Sequence, residues 1–333
     1  MNYAQSAPTV CKAISADSSR PDPGPRTHLI GIGGAGMAAL ATCLAEIGHA
    51  VSGSDLRSTE TTRKLAARGV RVAANHVPDN VAGADLVVVS DAVPTGNVEL
   101  KEANIRMIPV VRRAQMLDRI CQSKFAAMVS GSHGKSSITA MLATVLDSAG
   151  AEPSFARVAD SPARAGERAR IGRGAHFVVE ACDAVVNLAS YNPGLSVIAN
   201  IDGEHSAHYG GQERLADAFA DFANRAPGGA VVNGDDPGVR RIFDRLTHPI
   251  AFGLDPANTF SAAHVQIEAQ GWPFGLGRGG LGLRCVEVRV GGIDRIAGRR
   301  SRSAGHQGDA GGAGAVRDSL HRFYGVRRAF SAL

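Results

Sequence analysis

Two glycine-containing loops carry the residues whose spacing could bind phosphate groups. The more specific loop reads G-S-H-G-K-S-S and supplies the Gly-Lys-Ser ending of a phosphate loop, although Val129 stands where the strict pattern has its first glycine. In such a loop Lys135 reaches the β- and γ-phosphates, Ser136 ligates Mg²⁺, and the backbone amides hold the α/β-phosphates. This pattern favours Mg·ATP binding over a chance glycine-rich turn. The candidate ATP-binding residues are Gly131, Ser132, His133, Gly134, Lys135, Ser136 and Ser137.

The other loop reads G-I-G-G-A-G and fits the pattern G-x-G-x-x-G. Its glycines let backbone amides approach a pyrophosphate at a helix N-terminus. Asp55 follows at about 20 residues, where an acid can accept from a ribose hydroxyl. A nucleotide-linked ligand is favoured over a turn that only packs helix on strand, but the motif leaves NAD and a UDP-sugar both open. The candidate glycines are Gly31, Gly33, Gly34 and Gly36.

Two further polar residues follow predicted strands after the lysine-containing loop. Glu180 ends the strand Phe177-Val178-Val179, where an acid that holds a metal ion should project. His205 follows another strand and could bind a second ion or a water on it. Each is weak evidence alone, because a lone strand-end Glu or His is more often a solvated or capping residue. Together with Ser136 they predict a metal site, and Lys135, Glu180 and His205 are the candidate catalytic residues.

Short apolar runs that alternate with helical patterns predict the elements that position these loops. This alternation indicates an α/β fold with parallel sheets covered by helices. The pattern restarts near Ser123, which predicts a Rossmann-like domain over 27–123 and an ATP-binding domain over 124–333, after a disordered leader at 1–26. The runs are Leu29 to Ile32, Met37 to Ile47, Ala50-Val51, Leu86 to Val89, Ile108 to Val111, Phe125 to Val129, Phe177 to Val179, Leu195 to Ile201, Ala230 to Val232 and Pro249 to Ala251.

Composition restricts the class of protein. Apolar residues make up 44% of the 333 residues, and no apolar run approaches the ~20 residues of a membrane helix, so we expect neither a membrane span nor secretion. Five scattered cysteines form no C-x-x-C pair, as is typical of free thiols in a reducing cytoplasm. The net charge of +5 comes without an aromatic-interleaved basic motif, so acidic small molecules are expected as partners and nucleic acid is not.

The segment 271–314 differs in composition and in apolar periodicity from the rest of the chain. About one residue in three is glycine there, against a usual ~7%, and apolar periodicity largely fails. We therefore do not expect this segment to form a well-packed core.

The two loops in tandem, G-I-G-G-A-G-M and G-S-H-G-K-S-S, resemble those of the Mur ligases, and among them the members that add L-alanine. Further stretches agree with the resemblance: V-S-G-S-D at 51–55, V-V-V-S at 87–90, I-P-V at 108–110, R-A-Q-M-L at 113–117, N-I-D at 200–202 and F-Y-G-V-R-R at 323–328. The likeness spans about Thr27 to Gln270 and resumes near Ala315.

The resemblance implies a Rossmann-like domain for UDP-N-acetylmuramate, a central ATPase domain and a third domain that helps to bind the amino acid, which we expect to be absent from this chain. It implies that ATP activates the muramoyl carboxylate to an acyl phosphate, which L-alanine then attacks. Gly31, Gly33, Gly34, Gly36, Asp55 and Ser90 would bind the UDP-sugar. The sequence departs from the family at Cys182-Asp183, at Ala207 and in an adenine-binding H-N-x-x-N segment. A non-catalytic UDP-sugar or ATP binding remnant and an NAD-dependent oxidoreductase therefore remain alternatives.

Overall fold

A computed structural model describes residues 24–159, 166–183, 188–203, 205–268 and 282–290, with side chains described up to residue 262. The predicted leader lies outside the described residues up to position 23. Its last three residues were assigned wrongly, because the first strand already begins at Gly24. Arg26 is fixed there by Asp85, whose Oδ1 lies 2.6 Å from Nη2 of Arg26.

The first sheet contains five parallel strands in the order β3-β2-β1-β4-β5. Since the chain fills one side of β1 and then crosses to the other, the crevice beyond the carboxyl ends of β1 and β4 is a topological switch point, where ligands of open α/β sheets bind. The elements are β1 (Gly24–Ile30), α1 (Ala35–Glu46), β2 (His49–Asp55), α2 (Glu60–Ala67), β3 (Arg71–Ala74), β4 (Leu86–Val89), α3 (Val98–Ile105), β5 (Val110–Arg112) and α4 (Arg113–Cys121).

The second sheet contains nine strands in the order β14-β13-β12-β11-β10-β6-β9-β7-β8. The inner strand β6 lies between β10 and β9 and is parallel to both. The elements are β6 (Phe125–Ser130), α5 (Lys135–Ser148), β7 (Ser154–Ala156), β8 (Ala169–Arg170), β9 (His176–Glu180), β10 (Leu195–Ile198), α6 (Ser206–Tyr209), α7 (Gln212–Asn224), β11 (Ala230–Asn233), α8 (Pro237–Ile242), β12 (Pro249–Gly253), β13 (Phe260–Glu268) and β14 (Gly282–Val290).

The predicted α/β fold with parallel sheets is confirmed. The run from Met37 to Ile47 overlaps α1 and the other apolar runs overlap strands, in which Leu29, Ile30, Val87 and Val178 are fully buried. Strands β3, β7 and β8 were not predicted, because each has only two to four residues and lacks a clear apolar run. The expectation that 271–314 does not form a well-packed core stays a prediction, because no side chain of this segment is described. Residues 282–290 form β14, which pairs antiparallel with β13, while the rest of that segment lies outside the described residues.

The layers of the two sheets pack against each other. One cluster of buried apolar side chains includes Leu40 of α1 and Phe177 of β9, so the core is continuous between them. Hydrogen bonds add to this packing: the Ile171 amide donates to Glu46 Oε2 at 2.6 Å, and Asn192 donates from N and Nδ2 to the Asp118 carboxylate at 2.7 and 2.9 Å. The relative position of the two glycine loops is therefore set by packing. Among the described residues no helix is both long and apolar enough to cross a membrane.

Gly53 of β2 leaves room for the turn that follows β1. A Cβ at this position would lie 2.6 Å from the Leu29 carbonyl oxygen and 2.6 Å from Cδ1 of Ile32. We expect Gly53→Ala to lower the free energy of unfolding by about 1–3 kcal/mol through overpacking. Gly96→Ala is the matched control, because nothing lies within 4 Å of its ideal Cβ. Urea denaturation of both variants measures the difference, and equal stability would contradict this account.

Candidate nucleotide-binding sites

The first glycine loop lies at the switch point of the first sheet. Gly31 adopts a φ of +82°, which glycine tolerates best, and its amide donates to the Ser54 carbonyl at 2.9 Å. An ideal Cβ on Gly31 would lie 3.2 Å from Cβ of Ser90, so Gly31 and the residue after β4 are direct neighbours. Gly34 precedes α1, which begins without a side-chain cap and without an acid in its first turn. Such a helix start favours an anion.

Asp55 holds the loop in place. Its Oδ2 accepts the Gly33 amide at 2.9 Å, and its Oδ1 accepts the Arg57 amide at 3.1 Å. The ribose contact expected from the spacing stays a prediction, and the structure adds a role in fixing the loop. The sequence-predicted residues Gly31, Gly33, Gly34, Asp55 and Ser90 are thus brought together, while Gly36 lies in the first turn of α1, against Arg113.

The second loop joins β6 to α5 in the geometry of a phosphate loop. Gly131 has a φ of +134°, and an ideal Cβ there would lie 3.0 Å from the Asn200 backbone. Gly134 is left-handed with a φ of +78° and precedes α5. Lys135 folds back onto its own loop, donating from Nζ to the Gly131 and Ser132 carbonyls and lying 2.8 Å from Oδ1 of Asp183. Asp183 is only 1% exposed, so it is a buried counter-ion for the lysine.

Residues that follow β10 clamp the same loop. Asn200 Oδ1 accepts the His133 amide at 2.8 Å, and Asn200 Nδ2 donates to the His133 carbonyl at 3.1 Å. The Asp202 amide donates to Ser132 Oγ at 2.9 Å, while its carboxylate lies 2.9 Å from Nε2 of His133. Sequence reasoning missed Asp183, Asn200 and Asp202 as site residues. The N-I-D stretch at 200–202, placed directly after a strand, was the signal that could have found two of them.

Ser136 and Glu180 form the oxygen-rich part of the site. Ser136 Oγ donates to Glu180 Oε2, which also accepts the Val158 amide at 2.8 Å. The Ala159 amide donates to Ser136 Oγ at 3.1 Å. Glu180 is 6% exposed. A hydroxyl and a carboxylate at the end of a phosphate loop fit Mg²⁺, which prefers oxygen ligands and completes its shell with water and phosphate.

Two predicted residues stand apart from these contacts. Ser137 is exposed in the first turn of α5. His205 lies at the start of α6, with its ring centroid 6.2 Å from that of His208. The described residues contain no group of three or more His, Cys, Asp and Glu side chains that could hold a metal ion. The metal-binding role of His205 stays a prediction.

A lysine-containing phosphate loop at the centre of a largely parallel sheet defines a nucleotide-binding α/β protein. Family comparisons narrow this class. Residues 26–125 match the model of the Mur ligase family, catalytic domain, and residues 129–277 match that of the Mur ligase middle domain. The chain belongs to the Mur ligase family.

Curated relatives with the same printed name support this membership. UDP-N-acetylmuramate–L-alanine ligase of Thiobacillus denitrificans is 36% identical over 307 residues, which cover 91% of this chain and 66% of that protein. The ligase of the same name from Methylibium petroleiphilum is 42% identical over 234 residues, 68% of this chain and 50% of that protein. The chain thus spans between half and two thirds of the length of these relatives.

Solved structures share the fold. The UDP-N-acetylmuramate-alanine ligase of Thermotoga maritima matches with a TM-score of 0.66 at 25% identity, covering 73% of this chain and 55% of that one. A ligase from Neisseria meningitides that is named for UDP-N-acetylmuramate and L-alanyl-gamma-D-glutamyl-meso-diaminopimelate matches with the same TM-score at 24% identity, covering 72% of this chain and 81% of that one. The second likeness shows a common fold alone.

Proposed function

We propose that the chain forms the sugar-binding and ATP-binding parts of a ligase that joins L-alanine to the carboxylate of UDP-N-acetylmuramate. The observation that carries this proposal is the pair of glycine loops, each after a strand of its own sheet and each opening a helix. The names of the curated relatives indicate the substrates. Because ATP is the cosubstrate, we place the reaction in the cytoplasm.

The proposed reaction has two steps. A carboxylate oxygen of the sugar attacks the γ-phosphorus of ATP, and the bond to the β,γ-bridging oxygen breaks to give an acyl phosphate and ADP. The amine of L-alanine then attacks the acyl carbon and loses a proton, and inorganic phosphate leaves. Protein groups contribute mainly by positioning the reactants and by stabilising the charge on the transferred phosphoryl group.

Each loop has a distinct task in this scheme. Gly31, Gly33 and Gly34 present the start of α1 to the diphosphate of the sugar nucleotide. Lys135 exchanges its contact with Asp183 for the β- and γ-phosphates, while Asn200 keeps the loop backbone in its anion-binding shape. Ser136 and Glu180 would hold Mg²⁺, which supplies positive charge to the phosphate oxygens when bound. His205 is proposed as a further metal-site or water-binding residue, and Asp55 and Ser90 as contacts of the sugar nucleotide.

Calorimetric titration of the purified chain with UDP-N-acetylmuramate and with Mg·ATP tests the proposal, followed by a phosphate-release assay with and without L-alanine. We expect both ligands to bind. Release of phosphate that depends on L-alanine and on the sugar nucleotide would identify a working ligase. Binding of either ligand without turnover would favour a non-catalytic binding role. Binding of NAD in place of the UDP-sugar would contradict the proposal in favour of an oxidoreductase.

A further inference from the structure

Arg113 is a buried cation at the junction of the two sheets. It is the first residue of α4 and is 8% exposed. Its Nη1 lies 3.3 Å from the position that a Cβ on Gly36 would occupy, so the guanidinium packs against the first turn of α1. That turn contains no acid and no side-chain cap. A helix N-terminus and a guanidinium both favour an anion, and here they meet.

Within the described part of the chain, no carboxylate forms an ion pair with Arg113. Its neighbour Arg112 is 56% exposed and is paired with Asp91 at 3.0 Å. Burial alone would lower the pKa of Arg113, but the neighbouring Tyr191, Cys182 and Asp91 outweigh it and raise the pKa, so the side chain stays charged. The fully buried hydroxyl of Tyr191 is a direct neighbour of the Arg113 guanidinium, although their contact does not have the geometry of a regular hydrogen bond. Asp91 acts on Arg113 only from beyond ion-pair distance and is itself paired with Arg112, so a ligand anion could supply the direct partner that a buried guanidinium favours.

The surroundings of Arg113 connect the two loops. A small cavity of about 10 Å³ is lined by Gly36 and Arg113 on one side and by Val158 and Glu180 on the other. Glu180 is the residue that contacts Ser136 in the phosphate loop. The cavity itself has room for about one water, so it shows only that the gap beside Arg113 leads toward Glu180 and the ATP site.

We propose that Arg113 binds the reacting carboxylate of the sugar nucleotide. This inference rests on the function proposed above. The diphosphate is expected at the start of α1, because the amides of Gly31, Gly33 and Gly34 already donate to Ser54, Asp55 and Gly31 and hold the loop in shape. Arg113 packs against Gly36 in that first turn and lines a cavity with Glu180, so it lies on the side of the turn that faces the second sheet. The carboxylate must reach the γ-phosphate held by Lys135 and Ser136, so it is the group of the substrate that comes closest to the second sheet. A guanidinium suits this task because its planar fork binds both carboxylate oxygens at once.

The experiment compares two ligands that differ in the lactyl group that carries this carboxylate. UDP-N-acetylmuramate carries it, and UDP-N-acetylglucosamine has the same diphosphate without it. Calorimetry with the full chain should show that Arg113→Gln lowers the affinity for UDP-N-acetylmuramate about 100-fold. The affinity for UDP-N-acetylglucosamine should stay within about threefold of that of the wild-type chain. Arg113→Lys keeps the positive charge but cannot donate to both carboxylate oxygens as a planar guanidinium does, so we expect its affinity for UDP-N-acetylmuramate to fall about tenfold. Arg112→Gln is the matched control and should change neither affinity.

The outcomes separate this inference from the proposed function. If the wild-type chain binds neither UDP-sugar, both ideas fall. If the wild-type chain and the Arg113→Gln variant bind UDP-N-acetylmuramate equally well, the proposed role of Arg113 is refuted while the proposed function stands. An equal loss for both ligands would assign Arg113 to the diphosphate or to the fold and would also overturn the inference. Thermal melts accompany each variant, and Arg113→Lys decides the question if Arg113→Gln does not fold.

Discussion

Replacing Lys135 with alanine is expected to lower the affinity for Mg·ATP about 100-fold or more. The ammonium group sits at the mouth of the phosphate loop, within reach of the Gly131 and Ser132 carbonyls that its nucleotide-free position uses. Charge-assisted hydrogen bonds are worth about 1.5–3 kcal/mol each, and two lost contacts to phosphate oxygens suffice for this change. Calorimetric titration with Mg·ATP measures it, and Lys101→Ala, at an exposed lysine of α3, is the matched control.

The same substitution leaves Asp183 buried without its cation, so a loss of stability could imitate a loss of binding. Breaking a buried ion pair by removing one partner costs about 3–5 kcal/mol. The double variant Lys135→Ala/Asp183→Asn removes the unpaired charge, and we expect its unfolding free energy to recover while ATP binding stays absent. Nucleotide affinity that returns with stability, or an unchanged affinity in Lys135→Ala, would refute the assignment of the phosphate loop.

Glu99→Gln is expected to have the largest effect on the stability of the first sheet. Glu99 is fully buried in α3, where Ser54 Oγ donates to Oε2 and Asn80 Nδ2 donates to Oε1. His76 Nδ1 lies 3.2 Å from the same carboxylate and His28 Nε2 lies 3.6 Å from it. Burial alone would raise the pKa of Glu99, but His28 and the hydrogen bonds from Ser54 and Asn80 outweigh it and hold the pKa at about 2.

This lowered pKa fixes the sign of the pH dependence. The unfolded chain binds a proton at an ordinary pKa near 4.3 and the folded chain only near 2, so the stabilisation is complete above about pH 5 and is lost as the pH falls toward 2. The difference is about 3 kcal/mol at neutral pH. Urea denaturation should show that Glu99→Gln is less stable by about this amount at pH 7 and that the gap narrows below pH 5. Glu102→Gln, on the same helix and paired with Arg106, is the control. A gap that stays constant from pH 7 to pH 3 would contradict the account.

Local patterns were enough to predict the strand-loop-helix units around Gly31 and Lys135, and the fold that these units imply. They also marked Glu180 at a strand end, where the structure places it against Ser136. The metal role of His205 was a weaker inference, because a residue that follows a strand is not thereby directed at its neighbours. Ser90 lies beside Gly31, and the contact with the UDP-sugar that the family resemblance implied for it stays a prediction.

Contacts between site residues that are far apart in sequence could not be predicted from local patterns. Asp183 stands 48 residues from the lysine that it pairs with, and Asn200 stands 67 residues from the loop that it clamps. The Asp183 position was noticed only as a departure from the family pattern, although its carboxylate turned out to face Lys135. Arg113 was noticed only as part of a resembling stretch, and its burial against Gly36 depends on how α4 packs on α1.

The sequence alone determined the two phosphate-type loops, the α/β class and the family resemblance, because each depends on residues that are adjacent in the chain and on short-range backbone preferences. The tertiary structure decided which charges neutralise Lys135 and Glu99, and that Arg113 has no carboxylate ion-pair partner among the described residues. Those outcomes depend on strand order and on the packing of the two sheets. They follow from burial and distance in space, and the linear order of residues specifies neither directly.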